Sequence, residues 1–198
     1  MTTTPSPEAL LDHAGNPRQS RATYLTYEQS RLGMAFHEAG HAVLALAYGL
    51  HVESSEVIAW TDDSSWRVTG KTFSDAPTIH VWRFAAMCAA GQVTQVNYLM
   101  AYGLWTPERA LACTAEHDRE MAIDVLAPEG FRIGREHVPA GGKSWSMVRG
   151  MARRKVEHLW REIRTVAHAM DENTILTGDQ IAEMTGLVNP VFEAEVAA

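Results

Sequence analysis

The chain has 198 residues, 46% of them hydrophobic and 21% charged, with a formal net charge of −7. This composition excludes collagen, coiled-coil and wholly disordered chains, and its acidic balance supplies no overall field attracting nucleic acid or anionic lipid. A chain this long buries roughly 70% of its unfolded surface, so one domain needs neither a disulfide nor a structural metal to fold.

Residues 1–25 carry Thr, Pro, Ser, Asp and Asn without a basic-then-apolar pattern, and read as a flexible tail rather than a secretory signal. The domain is expected over 26–188, with a second tail at 189–198. Thr26 to Tyr48 repeats apolar residues at three and four (Leu32, Phe36, Ala39, Val43, Ala47) and predicts an amphipathic helix stopped by Gly49. Val57 to Trp60 and Trp66 to Thr69, separated by Thr61 to Ser65, predict a β-hairpin within His51 to Phe73. Pro77 to Tyr102 is Ala-rich and apolar nearly all round, as a central core helix is.

Thr106-Pro107-Glu108 supplies an N-cap and a first-turn proline for a helix running to about Leu126. After the loop signals of Pro128 to Lys143, a long helix is expected from Ser144 to Met170, striped by Val156, Leu159, Trp160, Ile163, Val166, Ala167 and Met170. A short last helix starts at Thr177, whose spacing to Gln180 makes a capping box. The fold class is therefore mainly α (α+β), with a small hairpin after the first helix. No apolar run is long enough to span a membrane, and Cys88 and Cys113 lack metal-finger or disulfide-framework spacing, so the expected setting is cytoplasmic, with neither membrane nor nucleic acid as partner.

The chemistry concentrates in His37-Glu38-Ala39-Gly40-His41. Two histidines four apart stand one turn above each other on one helix face and both can reach one zinc ion, leaving the intervening glutamate beside it as general base for a zinc-bound water. Gly40 costs about 1 kcal/mol relative to Ala in mid-helix, which implies a close approach to its backbone. The third ligand must be distant, because Ala42 to Tyr48 holds no further histidine. The best source is Glu116-His117-Asp118-Arg119-Glu120, among whose members periodicity does not choose.

His37 to Val43 resembles the motif of FtsH-type peptidase domains, His-Glu-Ala-Gly-His-Ala followed by apolar residues. The resemblance runs from about Tyr27 to Gly186, through the hairpin, Thr114 to Ala122, and Leu176-Thr177-Gly178-Asp179-Gln180-Ile181. It implies that the family's aspartate ligand falls on Asp118, four residues before Ala122, with Glu116 and Glu120 as fallbacks. The metal set is then His37, His41 and Asp118 on one Zn2+ per chain, with Glu38 catalytic. The family's Gly-Arg-x-Ala-Glu stands here as Gly91-Gln92-Val93-Thr94-Gln95, so the carboxylate and guanidinium of that segment are absent.

No phosphate-loop motif is present, so the expected activity is a zinc metalloendopeptidase, ATP-independent by itself, cutting flexible or unfolded polypeptides. A separate ATPase or adaptor, and self-association into a homo-oligomer, are the partners the resemblance implies. The rivals are a catalytically silent zinc-binding regulatory protein and an ImmA-like protease specific for one regulator. Trp60 and Trp66 flank the hairpin turn, where they either pack the core or line a groove accepting peptide by strand addition. The basic residues from Arg149 to Arg164 read as a solvated helix face, and His51, His80, His117, His137, His158 and His168 as surface or hydrogen-bonded core residues, with His117, beside Asp118, the first among them as a ligand.

Overall fold

A computed structural model of the chain describes residues 5, 10–17, 24–61, 66–75 and 79–192. Helix α1 (Tyr27–Ala47) opens with a capping box: the Gln29 backbone N–H donates to Thr26 Oγ1 at 3.2 Å, and the Thr26 N–H donates to Gln29 Oε1 at 3.1 Å. Strands β1 (His51–Thr61) and β2 (Trp66–Asp75) form the predicted hairpin, whose turn residues 62–65 lie outside the described residues. Helix α2 (Val81–Ala101) follows; the predicted start at Pro77 also lies outside them.

The helix expected from Thr106 to Leu126 is two helices, α3 (Pro107–Ala112) and α4 (Glu116–Leu126). Thr114 donates its hydroxyl to the Leu111 carbonyl at 2.7 Å, and this local bond offers the backbone an alternative to helix continuation. Two-residue strands β3 (Ile133–Gly134) and β4 (Lys143–Ser144) pair in parallel across the mid-chain loop. The long helix also divides, into α5 (Trp145–His158) and α6 (Trp160–Asn173), at Leu159. The bend lets α5 pack on α2 while α6 packs on α1, although the apolar stripe passes through it uninterrupted.

Strand β5 (Ile175–Thr177) then pairs antiparallel with β1, and helix α7 (Gly178–Thr185) starts from the predicted Thr177–Gln180 capping box. The sheet order is β2-β1-β5, with β1 central. The architecture is mainly α with one small antiparallel sheet.

Helix α1 is amphipathic only near its start. From Ala35 to Leu46 every residue is buried, because α2, α6 and the sheet surround it. Gly40 is explained by the same packing: a Cβ there would stand 2.5 Å from Thr94 Oγ1 and 3.1 Å from the Ala90 carbonyl oxygen of α2. No helix among the described residues is long and apolar enough to cross a membrane. Leu10 to Pro17, within the N-terminal stretch, turns back on itself through a Leu11–Pro17 bridge and meets α4 where His13 hydrogen-bonds Asp124 at 2.9 Å.

Candidate metal centre

Helices α1, α2 and α4 converge on one buried polar cluster. α1 presents His37, Glu38 and His41, α4 presents Asp118, and all four are over nine-tenths buried. The His37 and His41 Nε2 atoms lie 3.1 Å apart, and Asp118 Oδ2 lies 3.2 Å from each. This nearly equilateral triangle of electron-rich atoms fits a tetrahedral cation, whose ligands at bonds of about 2.0–2.1 Å stand roughly 3.3 Å apart.

The tautomers follow from what backs each ring. His41 Nδ1 lies 2.9 Å from the Met87 carbonyl oxygen and His37 Nδ1 lies 3.3 Å from Gln95 Oε1, and both partners only accept. The Nδ1 protons therefore point away from the cluster, and both Nε2 lone pairs point into it. Two lone pairs and a carboxylate oxygen at this separation repel unless a proton or a metal cation lies among them. Gln95, which does not supply the carboxylate of the resembled motif, here orients a histidine from behind.

The triangle exists because α2 passes it at Gly91. A Cβ at that position would stand 2.3 Å from His37 Nε2 and 2.4 Å from His41 Nε2. His117 approaches the other carboxylate oxygen, with Nε2 3.3 Å from Asp118 Oδ1, and its side chain remains 30% exposed. Donor atoms of His37, His117 and Asp118 also lie within 4.8 Å of one another, so His117 borders the open side of the cluster.

The fallback carboxylates are engaged otherwise. Glu120 accepts from Arg119 Nε at 2.8 Å and from Arg135 Nε at 2.9 Å, and the Arg135 and Arg119 guanidinium groups hold its carboxyl below the usual range. Glu116 lines the cleft above the cluster. Cys88, near Asp118, is a packed thiol that burial pushes well above its ordinary pKa.

Burial by itself would push His41 down, but the adjoining Asp118 carboxylate outweighs it and holds the imidazolium up to about 9. Asp118 is held well below its ordinary value: burial opposes ionisation, and His41 and His117 overcome it. Because the folded pKa of His41 exceeds the unfolded 6.5, its contribution to stability is complete below pH 6.5 and is lost as pH rises through about 9. Chelator-stripped protein is therefore expected to lose on the order of 3 kcal/mol between pH 6 and 10. Urea midpoints across that range test this, and a fall of equal size in Asp118→Asn would contradict the pairing.

Glu38 points to the sheet. Thr72 donates to Glu38 Oε2 at 2.7 Å, and Gly70 lies so close that a Cβ there would stand 2.4 Å from Glu38 Cγ. Beyond Glu38 opens a cleft of about 890 Å³ that reaches His37 and is lined in part by Met34, Trp60, Gln95 and His117. Five consecutive β2 residues, Trp66 to Gly70, line it, as the edge of a strand does; a sheet face would contribute alternate residues. Leu10, Asp12, Asn16 and Pro17 of the N-terminal stretch form another part of the wall.

Sequence reasoning singled out His37, Glu38, His41 and the acidic segment of α4, and did not find Met87, Gly91, Gly70, Thr72 or Ser55. A backbone carbonyl carries no residue signature, but Gly91 inside an Ala-rich helix was a visible signal of close approach. Compared with protein-family models and with curated proteins, the chain matches none.

Proposed function

We propose that the chain is a zinc-dependent metalloendopeptidase in which His37, His41 and Asp118 hold the metal and Glu38 is the general base. The observation that carries this reading is the inward-facing triangle of two Nε2 atoms and one Oδ2 at 3.1–3.2 Å, beside a glutamate at the floor of an open cleft. Zinc in such a site lowers the pKa of a water to near 7 and polarises a carbonyl.

The chain's own groups supply the rest. Glu38 takes a proton from the attacking water and passes it to the leaving amine as the peptide C–N bond breaks. Met87 and Gln95 hold the imidazoles in one tautomer, and His117 holds the second oxygen of Asp118. The cleft wall formed by Trp66 to Gly70, with Trp60 beside it, receives an extended backbone. The cleft admits an extended chain rather than a folded domain, so substrates are flexible or unfolded segments, or segments presented by a separate ATPase or adaptor. Both cysteines are free, in keeping with a reducing, cytoplasmic setting.

Glu38→Gln is the direct test. It is expected to keep about one zinc per chain and to lose roughly 10²- to 10⁴-fold in kcat/KM on casein or a fluorogenic peptide. Wild-type protein that holds stoichiometric zinc and cleaves no unfolded substrate would overturn the peptidase reading and favour a silent zinc-binding module.

A further inference from the structure

Ser55 and Thr72 are directly opposed across the β1–β2 ladder, and Val57 and Gly70 form the next same-face pair. Both pairs face α1 at Glu38. Thr72 Oγ1 lies 2.7 Å from Glu38 Oε2 and 2.8 Å from Ser55 Oγ, and Ser55 is completely buried. The direction of this chain is fixed by counting protons. A carboxylate oxygen accepts, so the single Thr72 hydroxyl proton goes to Glu38, to Oε2 at 2.7 Å in preference to the Glu38 backbone carbonyl at 3.3 Å, and Ser55 must then donate to Thr72.

We propose that Ser55 and Thr72 form a hydroxyl relay that positions the general base, an inference that rests on the peptidase reading. A glutamate has three side-chain torsions to fix, and at a buried site the energetic demand is for a donor rather than for more packing. Thr72 meets that demand at one oxygen, Oε2. The other, Oε1, occupies space that exists only because Gly70 has no side chain: a Cβ there would stand 2.6 Å from it. The hairpin therefore clamps one carboxylate oxygen and leaves the other for proton transfer. Ser55 acts one step further back, since its donated bond leaves the Thr72 hydroxyl proton only Glu38 to satisfy.

This division makes Thr72 and Ser55 positioning residues. Misplacing a reacting group by about 1 Å costs on the order of 10²-fold in rate without changing how substrate is held. Thr72→Val keeps the shape of the side chain and removes the donor. It is expected to lower kcat roughly 10- to 100-fold, with KM within about twofold of wild type and zinc still near one per chain. Thr72→Ser, which restores the hydroxyl, is expected to recover kcat to within a few-fold. Ser55→Ala lowers kcat less, and combined with Thr72→Val adds little, because both act through one bond.

A second readout does not depend on turnover. In urea unfolding of chelator-stripped protein, Thr72→Val is expected to lower the midpoint further when Glu38 is present than in a Glu38→Ala background, where only the loss of the Ser55 bond remains. Active wild type with an equally active Thr72→Val, or additive midpoints in the cycle, would overturn the relay while leaving the peptidase reading standing. Loss of zinc in Thr72→Val would also overturn it, by making the hairpin part of the metal site. Inactive wild type overturns the peptidase reading itself, and the catalytic role of the relay falls with it.

Discussion

Gly91→Ala is expected to leave the protein folded and to empty it of zinc. The added methyl carbon would stand 2.3 Å from His37 Nε2, 2.4 Å from His41 Nε2 and 2.5 Å from His37 Cδ2, so both rings must swing away from α2. Their swing breaks the triangle, because a zinc site tolerates only about 0.2 Å of error in its ligand distances. It also pulls the Nδ1 protons off Met87 and Gln95, which fix the orientation of the rings. Alanine is the better helix former by about 1 kcal/mol, which offsets part of the strain in α2. The expected result is unchanged helical circular dichroism with zinc below about 0.1 per chain by elemental analysis. Stoichiometric zinc in this variant would mean that the metal lies away from the Nε2 pair.

The same contact shows why parts of the site are legible in sequence and parts are not. His37-Glu38-Ala39-Gly40-His41 reads directly because helical spacing alone puts the two imidazoles on one face. The hairpin and the Thr177 capping box read because alternation and cap chemistry are local. The break at Cys113 to Ala115 does not: α3 and α4 together carry a good first turn and helix-forming residues, and only Thr114 bonding back to Leu111 ends the first of them. Yet this break aims α4 so that Asp118, two residues into it, reaches α1. The bend at Leu159 is equally hidden, since its apolar stripe continues in register while the two halves choose different partners. β5 is only three residues long and becomes a strand by pairing with β1, a tertiary event.

Gln95 and Thr72 illustrate a further limit. Glutamine at position 95, where the resembled motif has a carboxylate, reads as a loss when the motif is taken as a list of ligands. In the folded chain the amide oxygen accepts the His37 Nδ1 proton, so the position keeps a task that needs no charge. Thr72 has no motif at all. It matters because it stands opposite Ser55 and two residues from a glycine that Glu38 abuts, a coincidence of register and packing that only the structure displays.

Asp118→Asn is expected to weaken zinc binding by more than the roughly 100-fold that changing a residue behind a ligand costs, whereas Glu116→Gln and Glu120→Gln stay within a few-fold of wild type. The three carboxylates lie within five residues on one helix, so composition and periodicity treat them alike; geometry separates them. Asp118 Oδ2 lies 3.2 Å from both imidazole Nε2 atoms, while Glu120 is spent on Arg119 and Arg135. Asparagine keeps the shape and one oxygen but removes the charge that balances a divalent ion beside two neutral rings, in a pocket where water supplies little screening. The substitution also removes the partner that holds the His41 imidazolium up to about 9, so metal-free Asp118→Asn is expected to lose the alkaline fall in stability expected of wild type. Competition titration against a chromophoric zinc chelator at pH 7.5 measures all three variants on one scale. Wild-type affinity in Asp118→Asn, or a large loss in Glu120→Gln, would move the third ligand off Asp118 and with it the geometry on which the peptidase reading stands.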